Sequence, residues 1–563
     1  MPIDYQTLRF GYVRSPDQNA SRPPIHPVVV VGAGPVGLAA AIDLAQRGVK
    51  TVLVDNDDAL STGSRAICFA KRTLEIFDRL GCGDRMVEKG VSWNVGKVFL
   101  QDELIYTFNL LPETGHARPA FINLQQYYVE GYLVERAMQL EQLQLRWKNN
   151  VVGIAQHENH VELQIETPEG VYPLLAQYVV AADGARSPLR GMLGLDSHGR
   201  TFKDRFLIAD VKMKAPFPTE RWFWFDPPFH RNASVLLHRQ PDDVWRIDFQ
   251  LGWNADPAAE AAPERVIPRV KALLGEDVAF DLEWVSVYTF SCRRMDAFRH
   301  ARVLFAGDAA HGVSPFGARG ANSGVQDADN LVWKLGLVLR GAAPASLLDT
   351  YASEREYAAD ENILNSTRAT DFITPKSAVS RLFRDAALKL ARDYPFARRI
   401  VNSGRLSVPA VLAHSSLNTP DRDGDGFSCS MVPGAASADA PVKVDGKDAW
   451  FLNQTASGNF TGIYFCGMAD DVAATTAQLA ALLDAPIPVL PVIVIPRGAR
   501  ACAVSSGTVV EDVEGLLAHR FDARPGTFYL LRPDQHVCAR WRSLDPDAIS
   551  AALSRATCNG QRS

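Results

Sequence analysis

Apolar and polar positions change rhythm several times along the chain, and each change marks an element. PVVVV at 27–31 is a continuous β-branched run, and PVGLAAAIDLAQRG after it repeats apolar residues at helical spacing as far as Gly48. TVLVD then closes at Asp55, so residues 27–55 predict one right-handed strand-helix-strand unit. Helical spacing returns over 121–140, with Val129, Leu133 and Met138 among polar positions, and alternation over 151–182 predicts an antiparallel ribbon returning to YVVAADGAR. From 205 to 290 the chain is rich in Trp, Phe and Val and alternates, as in SVLLHR and WRIDFQLGW, which predicts a mostly antiparallel sheet inserted before the strand HARVLF. After Thr374-Pro375, read as an N-cap and first turn, Val379, Leu382, Phe383, Ala386 and Leu390 recur at helical spacing. They predict a docked helix whose Arg and Lys face solvent. The Asp, Gly, Ser and Pro of 421–440 read as a linker to a last unit with strands in GIYFCG, PVLPVIVI and TFYLLRP.

Composition narrows the function classes. A chain of 563 residues, 47% of them hydrophobic, can build three or four cored domains. A net charge of -5 gives no polybasic attraction to nucleic acid or anionic lipid, so neither is an expected partner. The cysteines at 68, 82, 292, 429, 466, 502, 538 and 558 form no CxxC pair and have no ligand-like spacing to histidine. They read as reduced thiols, and no metal site is expected. DRDGDG at 421–426 begins like a calcium loop, but Val432 stands where the bidentate Glu belongs, which leaves an acidic turn. The first residues lack an apolar signal region, and PIPVLPVIVIP at 486–496 is too short and proline-broken to span a bilayer, so a cytoplasmic location is expected.

Two stretches carry chemistry. In VVVVGAGPVG, Gly32, Gly34 and Gly37 allow a tight turn, close approach to a pyrophosphate and close helix packing, while Pro35 and Val36 begin a helix whose N–H groups face an anion. Asp55 follows Gly32 by 23 residues, where a carboxylate reaches a ribose hydroxyl. This fingerprint serves flavin and nicotinamide dinucleotides alike. The second stretch, LFAGDAAHGVSPFGARGANSGVQDADNLVWKL at 304–335, adds a carboxylate, Asp308, after Gly307 at a strand end, suited to a polyol such as the ribityl chain of FAD. Pro315, Gly317 and Gly320 then hold an extended turn against a flat ligand, and a helix starting near Ala321 aims its N–H groups back at it.

GAGPVG, AADGARS and GDAAHGVSPFGARGANSGVQDADNLVWKL together resemble the motifs of the single-component FAD-dependent aromatic hydroxylases, in the phenol hydroxylase and 3-(3-hydroxyphenyl)propionate hydroxylase branch. The resemblance implies an α/β fold: a Rossmann-like FAD-binding domain with an inserted antiparallel-sheet substrate domain and a thioredoxin-like carboxy-terminal domain. The implied boundaries are an extension over 1–26, FAD-binding parts at 27–200 and 293–370, the substrate sheet at 201–292, a helical connection at 371–420 and the last domain at 421–563. Asp183, Gly184 and Arg186 match the middle motif that serves both FAD and the nicotinamide cofactor. Arg65 matches an arginine near the flavin, Gln126 a glutamine that contacts FAD, and Arg293 an arginine of unassigned role before the second motif. His311 belongs to the motif's scaffold. Cys466 lacks a partner cysteine, so dithiol chemistry is not expected, and the last domain is assigned to packing or to contacts in a possible homodimer.

The implied chemistry is hydroxylation of a phenol, ortho to its hydroxyl, with O2 and NADH or NADPH. The flavin is reduced, O2 adds at its C4a carbon and the ring attacks the distal oxygen. The helix start at Ala321 and Asn322 stabilises the anionic reduced flavin, and the 205–290 insert forms a dry apolar lid. Pro315 stands both among the cofactor contacts and at the catalytic edge; Tyr288, His238 and Tyr106 are candidates for activating the phenol. Residues 222–257 look most like the 3-(3-hydroxyphenyl)propionate hydroxylases, and Arg239, Arg246 and His238 are candidate partners for a substrate carboxylate. Nitrophenols, halophenols and polyketides are the alternative substrates. A dehydrogenase, a halogenase (whose WxWxIP motif is absent) and a non-catalytic flavoprotein interaction module are the alternative classes.

Overall fold

The β-branched run condenses into strand Ile25–Val31, in which Val28, Val29 and Val30 are fully buried. Gly170–Ala181 pairs with it on one side and Thr51–Val54 on the other, both parallel, and Leu143–Arg146 and Val303–Phe305 extend the parallel core outward. In this computed structural model, residues 4–561 are described apart from 64, 65, 203, 216, 402–405, 407, 456, 457, 471 and 500–506. Pro35 opens helix Pro35–Gln46 in the first turn, where its missing N–H breaks no helical bond. Helix Gly320–Leu339 lies against it, and two glycines make room: a Cβ on Gly324 would stand 2.6 Å, and one on Gly307 2.9 Å, from Cγ2 of Val36. Val36 thus wedges between them, and this contact brings two stretches far apart in sequence to the same edge of the sheet.

The second sheet runs in the order Asp281–Tyr288, Arg205–Lys212, Val244–Leu251, Ser234–Arg239, Arg221–Phe225, Val95–Leu100 and Glu103–Asn109. Its last two strands come from 95–109, a stretch the sequence reading left in the first FAD-binding part. Every residue of Val244–Leu251 is buried, yet the strand alternates strictly. Trp245, Ile247, Phe249 and Leu251 pack with Val266 and Val270 of helix Pro263–Leu274, and the other face is left for the cleft described below.

The helix expected after Thr374 is present as Ala378–Asp393, with two corrections. Ser377, not Thr374, is its N-cap; Thr374 is the C-cap of the preceding helix, Leu347–Ile373. The buried face is also the opposite one: Val379, Leu382 and Phe383 are 77%, 71% and 59% exposed, whereas Arg384, Ala387, Leu388 and Ala391 are buried. Both stripes have helical period. The one chosen has small residues that let the helix approach the second sheet, with the Arg384 guanidinium 5.4 Å from the Phe225 ring centre.

The last unit is a sheet of seven strands whose centre, Thr508–Asp512, Val489–Pro496 and Phe460–Phe465, is parallel, continued antiparallel by Phe528–Leu531 and Val537–Trp541. Cys466 is buried, and none of the described cysteines is in a disulfide; Cys502 lies outside the described residues. This unit grips helix Gly320–Leu339 through a buried ionic cluster. Arg532 donates from Nη1 and Nη2 to the two oxygens of Glu354 at 2.6 and 3.1 Å and from Nε to Asp534 at 2.9 Å, while Lys334 Nζ donates to Glu354 at 2.7 Å. Arg72 adds bonds to the Asp534 carbonyl and the Gln535 side chain. No helix of the described residues is long and apolar enough to cross a membrane.

Candidate active site

A cleft of about 1280 Å³ separates the carboxyl edge of the first sheet from the second sheet. The glycine turn forms one end of it. A Cβ on Gly32 (φ +107°) would meet the Ala182 carbonyl oxygen at 2.4 Å, and one on Gly37 would meet the Gly32 carbonyl oxygen at 1.9 Å. Those two glycines are required by the protein's own packing, and Gly37 does not line the cleft. A Cβ on Gly34 would meet nothing within 4 Å, so only an occupant of the cleft demands glycine there. Asp55 is fixed at the rim, accepting from the Ala33 N–H at 2.5 Å and the Asp57 N–H at 2.8 Å. Gln126 accepts from the Ala66 N–H at 3.1 Å and donates to Glu130 at 2.7 Å, which in turn accepts from the Ser61 N–H, so the helix Gln126–Ala137 holds Ser61 and Ala66 at the cleft. Arg65 itself lies outside the described residues. Asp183 accepts from Ser187 and the Leu189 N–H through one oxygen, and its other oxygen is buried without a partner; Gly184 and Arg186 also line the cleft.

The second stretch forms the floor. Asp308 faces the cleft with no hydrogen-bond partner among the described residues; it is open to the cleft but ringed by protein, and burial, with Asp327 adding to it, pushes its carboxyl up. Asp327 ties the stretch together, accepting from the Gly307 N–H at 2.9 Å, His311 Nε2 at 2.6 Å and Arg355 Nε at 2.6 Å. Gly307 and His311 therefore serve the scaffold and do not line the cleft. Pro315, Gly320, Ala321 and Asn322 do. The Asn322 side chain accepts from the Ala70 N–H at 2.8 Å and donates to the Cys68 and Ala318 carbonyls, which fixes the start of helix Gly320–Leu339 against the cleft. Arg293 is exposed on the strand paired to Gly312 and does not reach the cleft.

The facing wall is the second sheet. Arg246 pairs across it with His238 and Asp210, and Asp248 with Leu236 and Ile208, which sets these residues on one face; Ser286 and Tyr288 join from the next strand. Arg246 is held by Asp210, Nε to Oδ1 at 2.9 Å and Nη2 to Oδ2 at 3.0 Å. His238 Nε2 lies 3.9 Å from Asp248 Oδ2, and the Tyr288 hydroxyl lies beside the same carboxyl. Burial pushes Asp248 up to about 6 against the pull of Arg246 and Arg221. Burial, helped by Arg221 and Arg246, holds His238 well below the ordinary imidazole range, and burial with Asp248 holds Tyr288 well above the ordinary phenol range. Around this polar island Phe206, Phe290 and Phe316 pack ring to ring at 4.8 to 5.9 Å. The lid expected to be dry and apolar is thus aromatic with an ionisable centre.

Tyr106 is buried elsewhere and does not line the cleft, and Arg239 pairs with Asp243 at its side. Two lining residues, Asp248 and Arg221, have no place in the motif reading. For Asp248 the signal was present: in VWRIDFQL it stands two positions after Arg246, hence on the same face.

The FAD binding domain family model matches residues 26–366, more than half of the chain. The chain belongs to the FAD-dependent aromatic hydroxylases. It is 30% identical over 541 residues to 6-methylpretetramide 4-monooxygenase of Streptomyces rimosus, covering 93% of this chain and 92% of that one. It is 27% identical over 551 residues to a 3-(3-hydroxy-phenyl)propionate/3-hydroxycinnamic acid hydroxylase of Burkholderia vietnamiensis, covering 93% and 95%. The crystal structure of the flavin-dependent monooxygenase PieE with FAD and substrate superposes with a TM-score of 0.77 over 95% of this chain and 99% of that one, at 22% identity, a likeness of fold.

The cleft of this hydroxylase fits FAD on its own evidence: the open space over Gly34, the free carboxylate of Asp308 and the orphaned oxygen of Asp183 are three provisions that no protein group uses. NADH or NADPH is the usual reductant of the family. Gly34→Val tests the fit without disturbing the fold, because at φ -73° any residue is tolerated and the new side chain meets no protein atom. The expected result is a folded protein, by circular dichroism, that retains less than a tenth of the wild-type flavin absorbance.

Proposed function

We propose that this hydroxylase adds oxygen ortho to the hydroxyl of a phenol carrying an acidic side chain, with 3-(3-hydroxyphenyl)propionate as the first substrate to test. The observation that carries the reading is Asp248, a carboxyl on the aromatic wall of the cleft, pushed up to about 6 and flanked by Tyr288 and His238. Bound FAD, reduced by NADH or NADPH, supplies activation of O2 and transfer of one oxygen atom. The chain's own residues prepare the ring. A phenol is a far better nucleophile as phenolate, and at neutral pH Asp248 is ionised and accepts the phenolic proton, directly or across the Tyr288 hydroxyl. His238, held neutral by burial, offers that proton no competing site. The start of helix Gly320–Leu339, with its unsatisfied N–H groups, favours negative charge on the floor of the cleft. Phe206, Phe290 and Phe316 keep water from the reacting edge.

The resemblance to a relative named for 3-(3-hydroxyphenyl)propionate supports the substrate class. The test is NADH or NADPH oxidation with oxygen uptake and product analysis over a panel of phenolic acids, neutral phenols, nitrophenols and phenolic polyketides. A catechol formed from a phenolic acid in proportion to NAD(P)H consumed is the expected result. Turnover of a polyketide alone would replace the substrate, and flavin reduction with no hydroxylated product from any compound would remove the reading.

A further inference from the structure

Arg221 lines the cleft from the second sheet and, among the described residues, forms no ion pair, although Asp248 on the same face feels its charge. It begins strand Arg221–Phe225, one residue before Trp222, which pairs with Leu237; this places it beside His238. The residue is 7% exposed and its Nη1 is buried without a hydrogen-bond partner. Its guanidinium lies 5.9 Å from the centre of the Trp93 ring. Arg246 on the same face is satisfied twice over by Asp210, and Arg239 turns aside to Asp243. A buried guanidinium donor without an acceptor is costly, and a ligand entering the cleft can complete it. The cofactor's diphosphate is provided for by the turn at Gly32–Gly37 and the helix that Pro35 begins. The remaining anion that enters this part of the cleft is the substrate's own.

We propose that Arg221 is the anchor that receives the carboxylate of an aromatic acid substrate. The assignment rests on the phenol hydroxylation proposed above and deepens it: Asp248 takes the hydroxyl end of the substrate and Arg221 the acid end. The planar, five-donor guanidinium suits a carboxylate held by two parallel bonds, and the Trp93 face limits its side-to-side motion.

The test compares wild-type holoenzyme with Arg221→Met and Arg221→Lys, reading the binding of 3-(3-hydroxyphenyl)propionate and of neutral 3-ethylphenol from flavin difference spectra, separately from turnover. Arg221→Met is expected to weaken the acid about 100-fold, leave 3-ethylphenol within threefold, and keep flavin content and melting temperature at the wild-type level, because a buried donor without a partner has gone. Arg221→Lys is expected to recover part of the acid's affinity. Equal losses for both ligands, loss of flavin, or a lower melting temperature would overturn the assignment and make Arg221 a structural or cofactor residue. A wild type that hydroxylates 3-ethylphenol but shows no preference for the acid would overturn it while leaving the phenol reading in place. A wild type that binds the acid through Arg221 yet hydroxylates nothing would sustain the anchor and remove the reaction.

Discussion

Asp248→Asn is expected to lower phenol hydroxylation by about 10²- to 10⁴-fold, the range over which a positioned base contributes, while flavin content stays at the wild-type level. Asparagine keeps the shape and loses the proton acceptor. In the wild type the hydroxylation rate is expected to rise with pH through a midpoint near 6, where Asp248 ionises, and that limb is expected to vanish in the variant. The groups that set this midpoint are Arg246 and Arg221, which lower it, Asp210, which raises it, and the adjoining Tyr288; burial outweighs them. The effect on stability has the opposite sign. A carboxyl raised above its ordinary value of 3.8 favours the folded state when protonated, so its contribution is complete below that value and is lost as pH rises through 6. Asp248→Asn is therefore expected to melt no lower than the wild type at pH 8. A rate loss below fivefold, or a lost limb accompanied by lost fold, would place the base elsewhere.

The second large effect is on the fold. Arg532→Ala is expected to destabilise the protein by about 3–5 kcal/mol, the usual consequence of removing one partner from a buried ion pair. Arg532, Glu354 and Asp534 are each no more than 1% exposed, so nothing from solvent replaces the lost charge. Burial alone would raise the Glu354 carboxyl; Arg532 and then Lys334 outweigh it and hold it far below the ordinary range. Without Arg532, Glu354 retains Lys334 and Asn330, and Asp534 retains His536. Lys334 and Asn330 lie on the helix whose other end meets the cleft, so flavin release on heating is expected to shift down with unfolding of the last unit. Differential scanning calorimetry with flavin fluorescence measures both; an unchanged melting temperature would contradict the account.

Much of this site was legible because its elements are made by local rules. The β-branched run, the first-turn Pro35 and Asp55 at the end of the next strand define the glycine end from sequence alone, and the Asp308 stretch carries its own turn and helix start. The duties of individual residues were less legible. Gly37 and Gly307 answer to carbonyl and side-chain contacts from distant segments, and His311 to Asp327, which only the folded chain shows. Asp248 and Arg221 escaped because the value of a polar residue on a sheet depends on its cross-strand neighbours: Asp248 gains its meaning from Tyr288 and His238, and Arg221 from the acceptor its Nη1 lacks. The reversed face of Ala378–Asp393 has a similar origin. Two stripes share the helical period, and the shape of the opposing surface chose between them.

The most direct measurement is the ionisation state of a bound phenol. Titrating the oxidised holoenzyme with 3-(3-hydroxyphenyl)propionate at pH 7.5 and recording the ultraviolet difference spectrum should show a phenolate band with the wild type and none with Asp248→Asn. A bound phenol that stays neutral in the wild type, or a phenolate band that survives in the variant, would contradict the account.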